Sequence, residues 1–406
     1  MSKPLPDITP SRLAIKVKGP AERSIRQSHP WVFESAIIKS SGVGVDGDLA
    51  IIYDSKKNKF LALGLWDQSS PIRIKMLQFK KPANIDQAWF NQKITKAKSK
   101  RKILLQTQTN SYRLLFGEND GLPGLICDVY NQVAVVKLYS AIWYPYLKFL
   151  LEPVINETRA NTIVLRLSRN LQKPGVERYG LSDGDVIYGT LKDDNVIFTE
   201  HGLKFSANVI KGHKTGYFLD HRHNRKRIGE LSKGKSVLDI FSYAGGFTVH
   251  ALAGGATQVT SLDISRQAQE MAKANVALNN LKGKHQVLVA DAFKGMQDLI
   301  DQGKRFDIVI ADPPSFAKSA ADIPQAVNSY QRLTKLAIQL VKSKGILLSA
   351  SCSSRVKAQE YFEMIEGVLS ISKRKFILIE TSEHDTDHPI GFPEGAYLKS
   401  GYYRIG

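Results

Sequence analysis

The second half of the chain repeats one pattern, in which a short apolar strand is followed by a helix. From residue 196 onward the predicted strands are Val237–Phe241, Val259–Leu262, Val287–Val289, Ile308–Ala311 and Ile346–Ser349. Segments of helical length, such as Ser265–Asn280, lie between them. This alternation predicts βαβ units and a parallel sheet covered by helices on both faces. Ligands of such sheets bind beyond the carboxyl ends of the strands.

The rest of the chain follows other patterns, and 406 residues need more than one core. Residues 1–78 hold short strand-like segments between Gly, Asp and Asn turns, which predicts a small β-barrel. Residues 79–195 mix helical and strand spacing and predict an α+β middle domain. Within it, Gly175–Asp194 is rich in Gly, Asp and Lys and is interpreted as a loop or linker. Residues 196–406 form the predicted Rossmann-like α/β domain.

The charge of the chain favours a polyanionic partner. It has 57 Lys and Arg against 38 Asp and Glu, a net charge of +19, which favours nucleic acid over a merely solvated basic surface. Two clusters are predicted to contact RNA phosphates: Lys93, Lys96, Lys100 and Arg101 on one helix, and Arg222, Arg225 and Arg227 further along. A solvated helix face is the alternative for each cluster. His221 and His223 are assigned to the same basic surface.

Other features of the sequence indicate the cellular compartment and whether a metal is bound. No apolar run approaches the roughly 20 residues that span a bilayer. The N-terminal segment has no apolar region typical of a signal peptide. Two cysteines cannot form a disulfide framework, and no spacing indicates zinc. We therefore expect a cytoplasmic protein without a metal.

Acidic side chains stand at the predicted carboxyl ends of three successive strands. Asp239 precedes a turn that contains Gly245 and Gly246, and Asp263 is placed to bind ribose hydroxyls. Asp291 is placed to accept a hydrogen bond from an adenine amino group. The GxGxxG spacing of dinucleotide sites is missing, which favours S-adenosylmethionine (SAM) over a nicotinamide cofactor. Each acid alone also fits a helix N-cap.

Two further strand ends carry reactive or rigid groups. Asp312–Phe316, which reads Asp-Pro-Pro-Ser-Phe, predicts a rigid turn suited to presenting a flat base, although a simple strand-ending turn is the alternative. Cys352 follows the strand Ile346–Ser349 and is a candidate nucleophile, with a small buried apolar residue as the alternative. Cys127, inside an apolar segment, is interpreted as structural.

With these segments, the chain resembles bacterial large-subunit rRNA cytosine-5 methyltransferases, which are class I SAM-dependent enzymes with an N-terminal PUA domain. Besides the glycine turn and Asp312–Phe316, the matching stretches are His29–Phe33, Gly117–Leu125, Lys214–Asp220, Ser351–Ser353 and His384–Pro389. They cover the chain from about residue 29 to about residue 389. The resemblance implies a PUA-like barrel for RNA contact, an α+β middle domain and a Rossmann-like SAM domain.

The resemblance also implies roles for individual residues. The implied SAM contacts are Lys214, Tyr217, Asp220, Asp239, Phe241, Ser242, Gly245, Gly246, Asp263, Ile264, Asp291, Ala292 and Asp312. Cys352 would add to C6 of a cytosine in 23S rRNA, with Asp312 hydrogen-bonded to the base, and Arg355 could assist the thiolate. Many RNA cytosine-5 methyltransferases carry a second cysteine where this chain has Ser315. The group that removes the C5 proton is therefore unassigned.

Several alternatives stay open at this point. Methylation of a guanine nitrogen shares the scaffold and the Asp-Pro-Pro turn, and uridine C5 methylation also uses a thiol adduct. A non-catalytic RNA-binding assembly factor is a third alternative. His384, Asp385, Asp387 and His388 resemble a metal cluster but are too close in sequence to surround one ion, and an active-site loop is favoured. The sequence leaves a homodimer open.

Overall fold

The computed structural model describes residues 3–317 and 319–406 and contains two compact units. The first unit runs up to Thr199 and adds Ala207–Leu219 and Thr386–Gly395. The second contains Glu200–Ser206, Asp220–Asp385 and Ala396–Gly406. The predicted boundary at residue 195 lies close to the first change of unit. Residues 78 and 79, which were predicted to separate two domains, lie inside one unit.

The first unit contains two sheets. Its strands are β1 (Arg12–Val17), β2 (Trp31–Val32), β3 (Ile37–Ser40), β4 (Leu49–Tyr53), β5 (Phe60–Trp66), β6 (Ile74–Phe79), β7 (Ser111–Phe116), β8 (Leu125–Tyr130), β9 (Val133–Leu138), β10 (Thr162–Leu167) and β11 (Val186–Gly189). Its helices are α1 (Gly19–Arg26), α2 (Gln87–Lys100), α3 (Leu147–Thr158) and α4 (Arg169–Tyr179). The strand order is β2-β6-β5-β4-β1-β3 in one sheet and β11-β10-β9-β8-β7 in the other.

One apolar core explains why the barrel and the middle region form a single unit. Leu63, Leu65 and Leu77 from the first sheet belong to the same buried cluster as Trp89 and Phe90 of α2. Each fully buried side chain of this size contributes about 1.5–3 kcal/mol. The predicted barrel therefore shares its stabilising contacts with the segment that follows it.

The predicted loop or linker at 175–194 holds only in part, because α4 continues to Tyr179 and β11 occupies Val186–Gly189. Pro174 and Gly175 interrupt the helical pattern and hide this helix. A Cβ atom on Gly175 would lie 2.8 Å from the Leu181 carbonyl oxygen, so close packing requires glycine here. Gly180 ends the helix with φ of 65°, in the left-handed region.

The second unit is built on one seven-stranded sheet. The strands β12 (Asn195–Glu200) and β13 (Leu203–Asn208) lie where the chain first passes between units. The sheet strands are β14 (Ser236–Ile240), β15 (Gln258–Asp263), β16 (Lys284–Val289), β17 (Phe306–Ala311), β18 (Val341–Ser351), β19 (Phe376–Ser382) and β20 (Lys399–Ile405). The helices are α5 (Arg222–Leu231), α6 (Gly246–Ala253), α7 (Arg266–Ala277), α8 (Ala292–Asp301), α9 (Ile323–Leu340) and α10 (Ala358–Ile371).

The sheet is mixed, whereas the sequence predicted a parallel one. Its order is β16-β15-β14-β17-β18-β20-β19. The pairs from β16 to β18 are parallel, as predicted, but β20 inserts antiparallel between β18 and β19. β20 therefore runs opposite to the other six strands, and it was missed because it follows a long irregular segment instead of a helix. The order reverses between β14 and β17, which creates a topological switch point.

Candidate active site

The switch point collects the five predicted strand-end residues at one edge of the second unit. In the register of the sheet, Ile240 pairs with both Leu262 and Ala311, and Ala311 pairs with Ser349. The strand ends that carry the predicted site are therefore neighbours. The predicted residues at these ends are Asp239, Asp263, Asp291, Asp312 and Cys352.

Asp239 is a buried carboxyl at the end of β14. Its Oδ2 accepts hydrogen bonds from the backbone N (3.1 Å) and Oγ1 (2.7 Å) of Thr248. Its Oδ1 has no partner among the residues that the structure describes. Burial raises the pKa of Asp239 to about 7, although the Thr248 hydrogen bonds oppose the shift. A buried acceptor without a partner fits a donor group of a ligand.

The loop after Asp239 is strained where it passes the switch point. Phe241 and Tyr243 have φ of 61° and 45°, which is unusual for bulky residues, and Gly245 has φ of 73°. Such strain is found at ligand sites, where the surrounding structure enforces it. Ser242, in the same loop, is buried and accepts a hydrogen bond from Nε2 of Gln269 at 3.0 Å.

Asp263 and Asp291 each support the local backbone. Asp263 accepts from the backbone N of Tyr243 at 3.0 Å and of Ser265 at 2.8 Å. Asp291 accepts from the backbone N of Phe293 and thereby caps α8. The helix-cap alternative therefore holds for Asp291, while its contact with a cofactor stays a prediction. Ile264 beside Asp263 is 71% exposed, which suits packing against a flat ring.

Asp312 has a partner that the sequence did not predict. Nε2 of His221 lies 3.2 Å from Oδ1 of Asp312, and Nδ1 of His221 lies 3.0 Å from Nδ2 of Asn224. The Asn224 oxygen accepts from the hydroxyls of Ser382 and Tyr402, so the amide nitrogen faces the imidazole. This orientation favours a proton on Nε2 of the neutral imidazole, which is within ion-pair distance of Asp312 but makes no aligned hydrogen bond to a described residue. His221 is buried, so its assignment to the basic surface was wrong.

Cys352 lies half-buried immediately after β18, beside the Asp-Pro-Pro turn. Its Sγ lies 3.8 Å from the carbonyl oxygen of Pro313. The thiol therefore lies beside the turn that begins with Asp312, and the roles of both residues at a base stay predictions. Cys127 differs, since it is buried inside β8 and burial raises the pKa of its thiol. That environment fits a structural cysteine.

The Lys214–Asp220 stretch is divided between the units. Lys214 and Tyr217 belong to the first unit, where Tyr130 OH contacts the backbone of Tyr217. Asp220 belongs to the second unit, and its Oδ2 accepts from Tyr397 OH at 2.8 Å. The cofactor roles of Lys214 and Tyr217 stay predictions.

The predicted basic cluster of the second unit is mostly interior. Arg222 and Arg225 are 0% and 3% exposed. Arg225 forms a bidentate pair with buried Glu200 at 2.7 and 2.6 Å, and Arg222 pairs with Asp385 at 3.0 Å. These buried guanidinium groups present no open face to RNA, so the surface assignment was wrong for both. Of the three predicted arginines, Arg227 is partly exposed, and it pairs with Glu230 and Glu380.

The basic residues predicted to bind RNA on α2 and just after it are also partly buried or paired within the protein. Arg101 is fully buried and forms a bidentate pair with Asp120 at 3.1 and 2.6 Å, so it too was wrongly placed on the surface. Nζ of Lys93 donates to the Leu77 carbonyl, and burial lowers the pKa of Lys93 to about 8. Lys100 pairs with Asp120 at 2.8 Å. Lys96 is exposed and stays available for a phosphate.

The Asp and His residues near 384–388 are joined by protein contacts. Within the first unit, Asp387 accepts from the backbone N of Arg113 and lies 2.8 Å from Nδ1 of His388. Among the described residues, no group of three His, Cys, Asp or Glu side chains could hold a metal ion. In the same part of the chain, helices long and apolar enough to cross a bilayer are also absent.

The fold of the second unit and the acids at its switch point define a class I SAM-dependent methyltransferase. A family model described as S-adenosylmethionine-dependent methyltransferase matches residues 184–378, and one described as PUA-like domain matches residues 15–79. The crystal structure of SMU.776 complexed with SAH has a TM-score of 0.82 at 20% identity and covers 97% of this chain and all of that one. This likeness supports the fold.

Sequence comparison identifies the family. A protein of Deinococcus radiodurans named ribosomal RNA large subunit methyltransferase is 41% identical over 400 residues, which are 97% of this chain and 98% of that protein. Ribosomal RNA large subunit methyltransferase I of Alteromonas mediterranea is 35% identical over 393 residues, covering 93% and 95%. The chain belongs to this family of ribosomal RNA large subunit methyltransferases, and its cofactor is SAM.

Proposed function

We propose that this protein methylates C5 of a cytosine in large-subunit rRNA through a covalent adduct between Cys352 and C6. The observation that carries the proposal is the thiol of Cys352 at the tip of β18, 3.8 Å from the Pro313 carbonyl of the turn that bears Asp312. The names of the relatives support ribosomal RNA as the substrate. The net charge of +19 supports a polyanionic partner.

The chemistry needs a nucleophile because C5 of cytosine is itself a weak one. The Cys352 thiolate adds to C6, forming the S–C6 bond and making C5 electron-rich. SAM supplies an electrophilic methyl group on its sulfonium sulfur. C5 forms the new carbon–carbon bond as the methyl–sulfur bond of SAM breaks and S-adenosylhomocysteine leaves. A base then takes the C5 proton, and the S–C6 bond breaks to release 5-methylcytidine and the thiolate. A cysteine suits both addition and departure.

The environment of Asp312 favours cytosine over uracil in this proposal. Nε2 of His221 lies 3.2 Å from Oδ1 of Asp312, and an ionised Asp312 carboxylate can only accept hydrogen bonds. The exocyclic N4 amino group of cytosine donates a hydrogen bond, whereas O4 of uracil only accepts. Asp312 would therefore hold cytosine at N4 while the thiol attacks C6.

Ser315 is poorly placed to act as the base that removes the C5 proton. Its Oγ donates to the Ala317 carbonyl at 3.0 Å, which holds the hydroxyl within its own turn. We therefore assign no residue to C5 deprotonation. The SAM-facing roles that we propose are those of Asp239, with its unpartnered buried Oδ1, and of Asp263 at the adjacent strand end.

The proposal is tested with Cys352→Ala, and with Cys127→Ala as the matched control that removes the other thiol. Both variants are assayed for transfer of labelled methyl groups from SAM to unmodified rRNA, and the product nucleoside is identified by mass spectrometry. We expect Cys352→Ala to be inactive and Cys127→Ala to retain activity if folded. Undiminished turnover by Cys352→Ala would exclude the thiol as nucleophile.

The product and the adduct separate the remaining alternatives. RNA containing 5-fluorocytidine should trap wild-type protein as a covalent complex, because fluorine at C5 cannot leave as a proton. Methylated guanine without an adduct would indicate guanine N-methylation, and 5-methyluridine would indicate the other pyrimidine. SAM binding without any transfer would favour a non-catalytic assembly factor.

A further inference from the structure

Lys399 is a buried lysine next to the proposed nucleophile. It is the first residue of β20 and pairs in the antiparallel register with Ser351, which directly precedes Cys352. Only 4% of the Lys399 side chain is exposed. Lysine is almost never buried to this extent unless it is paired, so its position calls for a cause.

The ammonium group of Lys399 binds the loop that follows the thiol. Nζ donates to the carbonyl oxygens of Ser353 and Val356, the latter at 2.6 Å, and to that of Tyr397 at 3.2 Å. Two of these three carbonyls lie within four residues of Cys352. Three acceptors match the three N–H bonds of the charged form. The contacts therefore fix the loop and hold a positive charge beside it.

Arg355, the cation that the sequence suggested for this purpose, is placed differently. Its side chain is exposed, where water screens its charge. A buried cation acts through a medium of lower dielectric constant and therefore stabilises a nearby anion more strongly. Of the two cations, Lys399 is the better suited to influence the thiol.

We propose that Lys399 is a positioning residue for Cys352: its ammonium group fixes the loop after β18 and favours the thiolate form of the nucleophile. This proposal rests on the proposed function, which requires that thiolate. Lys399 takes part in no bond-making step. The addition of sulfur to C6 and its later departure occur as written above, with no proton transfer to or from Lys399.

Other titratable groups surround Lys399 and Cys352. Burial lowers the pKa of Lys399 to about 8, and the charges of Cys352 and of Glu360 on α10 oppose that shift. Burial raises the pKa of Tyr330 on α9 to about 12, with the charge of Cys352 contributing, so its hydroxyl stays neutral near pH 7. Asp312 contributes negative charge at the neighbouring strand end. Lys399 is thus the buried cation among these groups.

The test measures the ionisation of Cys352 in the whole protein without RNA or SAM. The rate of alkylation of Cys352 by iodoacetamide is followed against pH by peptide mass spectrometry. We expect the wild-type thiol to titrate below the ordinary value of about 8.5. Lys399→Met should raise that midpoint by about one pH unit and slow alkylation at pH 7 by about 10-fold. Lys399→Arg, which keeps the charge, should restore most of the reactivity.

Controls separate this effect from unfolding and from loss of an unrelated charge. Lys335→Met removes an exposed lysine from α9 and should leave the profile unchanged. Cys127 is 0% exposed, so its alkylation reports unfolding in the same sample. If Lys399→Met does not fold, Lys399→Gln, which also removes the charge, replaces it in the same measurement.

Two results would overturn the proposal: a wild-type midpoint at or above the ordinary thiol value, or a folded Lys399→Met with an unchanged profile. Neither result depends on methyl transfer. If the proposed function fails, Cys352→Ala will still transfer methyl groups to rRNA. That result comes from the transfer assay and not from the thiol titration. The two hypotheses therefore fail in different experiments.

Discussion

The buried imidazole of His221 contacts the partly exposed carboxylate of Asp312 at the switch point, with Nε2 3.2 Å from Oδ1. Asn224 holds the other side of the ring through Nδ1. We expect His221→Gln to lower kcat/KM for rRNA by about 100-fold, because a carboxylate that loses its orienting partner can no longer hold the base accurately. SAM affinity, measured by calorimetry, should change little. A large loss of SAM binding would contradict this assignment.

The same contact makes stability depend on pH. Burial lowers the pKa of His221, but Asp312 and Asp220 oppose it and the net shift is upward. The stabilisation is thus fully present below the unfolded pKa of about 6.5 and is lost as pH rises through the higher folded value. Thermal unfolding between pH 6 and pH 9 should show a decline that His221→Gln flattens. If the melting temperatures of the wild type and of His221→Gln depend on pH in the same way, the contact with Asp312 does not contribute this stabilisation.

The carboxyl of Asp239 should make SAM binding depend on pH. Its pKa is raised to about 7, so it is largely protonated below that pH. Donors of SAM bind the ionised form better, so the dissociation constant should increase about 10-fold for each pH unit below 7 and level off above it. Asp239→Asn should weaken binding by about 1.5–3 kcal/mol at pH 8 and remove this dependence.

Stability provides the control for Asp239. An acid with a raised folded pKa weakens the fold as pH rises from about 3.8 to about 7, because the folded state then holds the proton more tightly than the unfolded state. Asp239→Asn should therefore be as stable as the wild type at pH 8, or more so. A strongly destabilised variant would assign Asp239 a structural role instead.

The strand-end acids and Cys352 could be predicted because parallel strands bring their carboxyl ends to one edge. Arg222 and Arg225 could not, because a run of basic residues resembles a surface and nothing local shows that Glu200 lies beneath it. Lys399 was missed for a similar reason: its burial depends on three carbonyls, two of them more than 40 residues away in sequence. Long-range pairing of charges is not encoded in local patterns.

Glu200 should be a major stabilising residue of the second unit. It is 0% exposed, forms the bidentate pair with Arg225, and lies 2.9 Å from Nε2 of His250. Removing one partner leaves buried cations uncompensated, which costs about 3–5 kcal/mol. Urea unfolding of Glu200→Gln should show this loss, whereas Glu270→Gln, at an exposed pair with Lys273, should change stability by about 0.5 kcal/mol at most. Equal losses of stability in the two variants would contradict a stabilising role for the contacts of Glu200 with Arg225 and His250.

The pKa of Glu200 adds a pH signature to this prediction. Burial raises the pKa, but Arg225 and His250 outweigh it and hold the carboxyl well below its ordinary range. A depressed folded pKa means that the stabilisation is present above the unfolded value and is lost as pH falls below it. The difference between wild type and Glu200→Gln should therefore narrow towards acid pH. A difference that stays constant as the pH falls from 7 to about 3 would argue against an ionised Glu200.

RNA affinity should depend on the exposed lysines of the first unit and not on the buried arginines. Lys96 and Lys102 are exposed at and just beyond α2, whereas Arg101 is fully buried. If both lysines contact phosphates, changing them to Ala should weaken rRNA binding and reduce the slope of log affinity against log salt by about 0.7–0.9 for each. Filter binding at several salt concentrations measures this slope. Unchanged affinity at low salt would place the RNA surface elsewhere, and an unfolded Arg101→Ala would confirm that this arginine acts through stability.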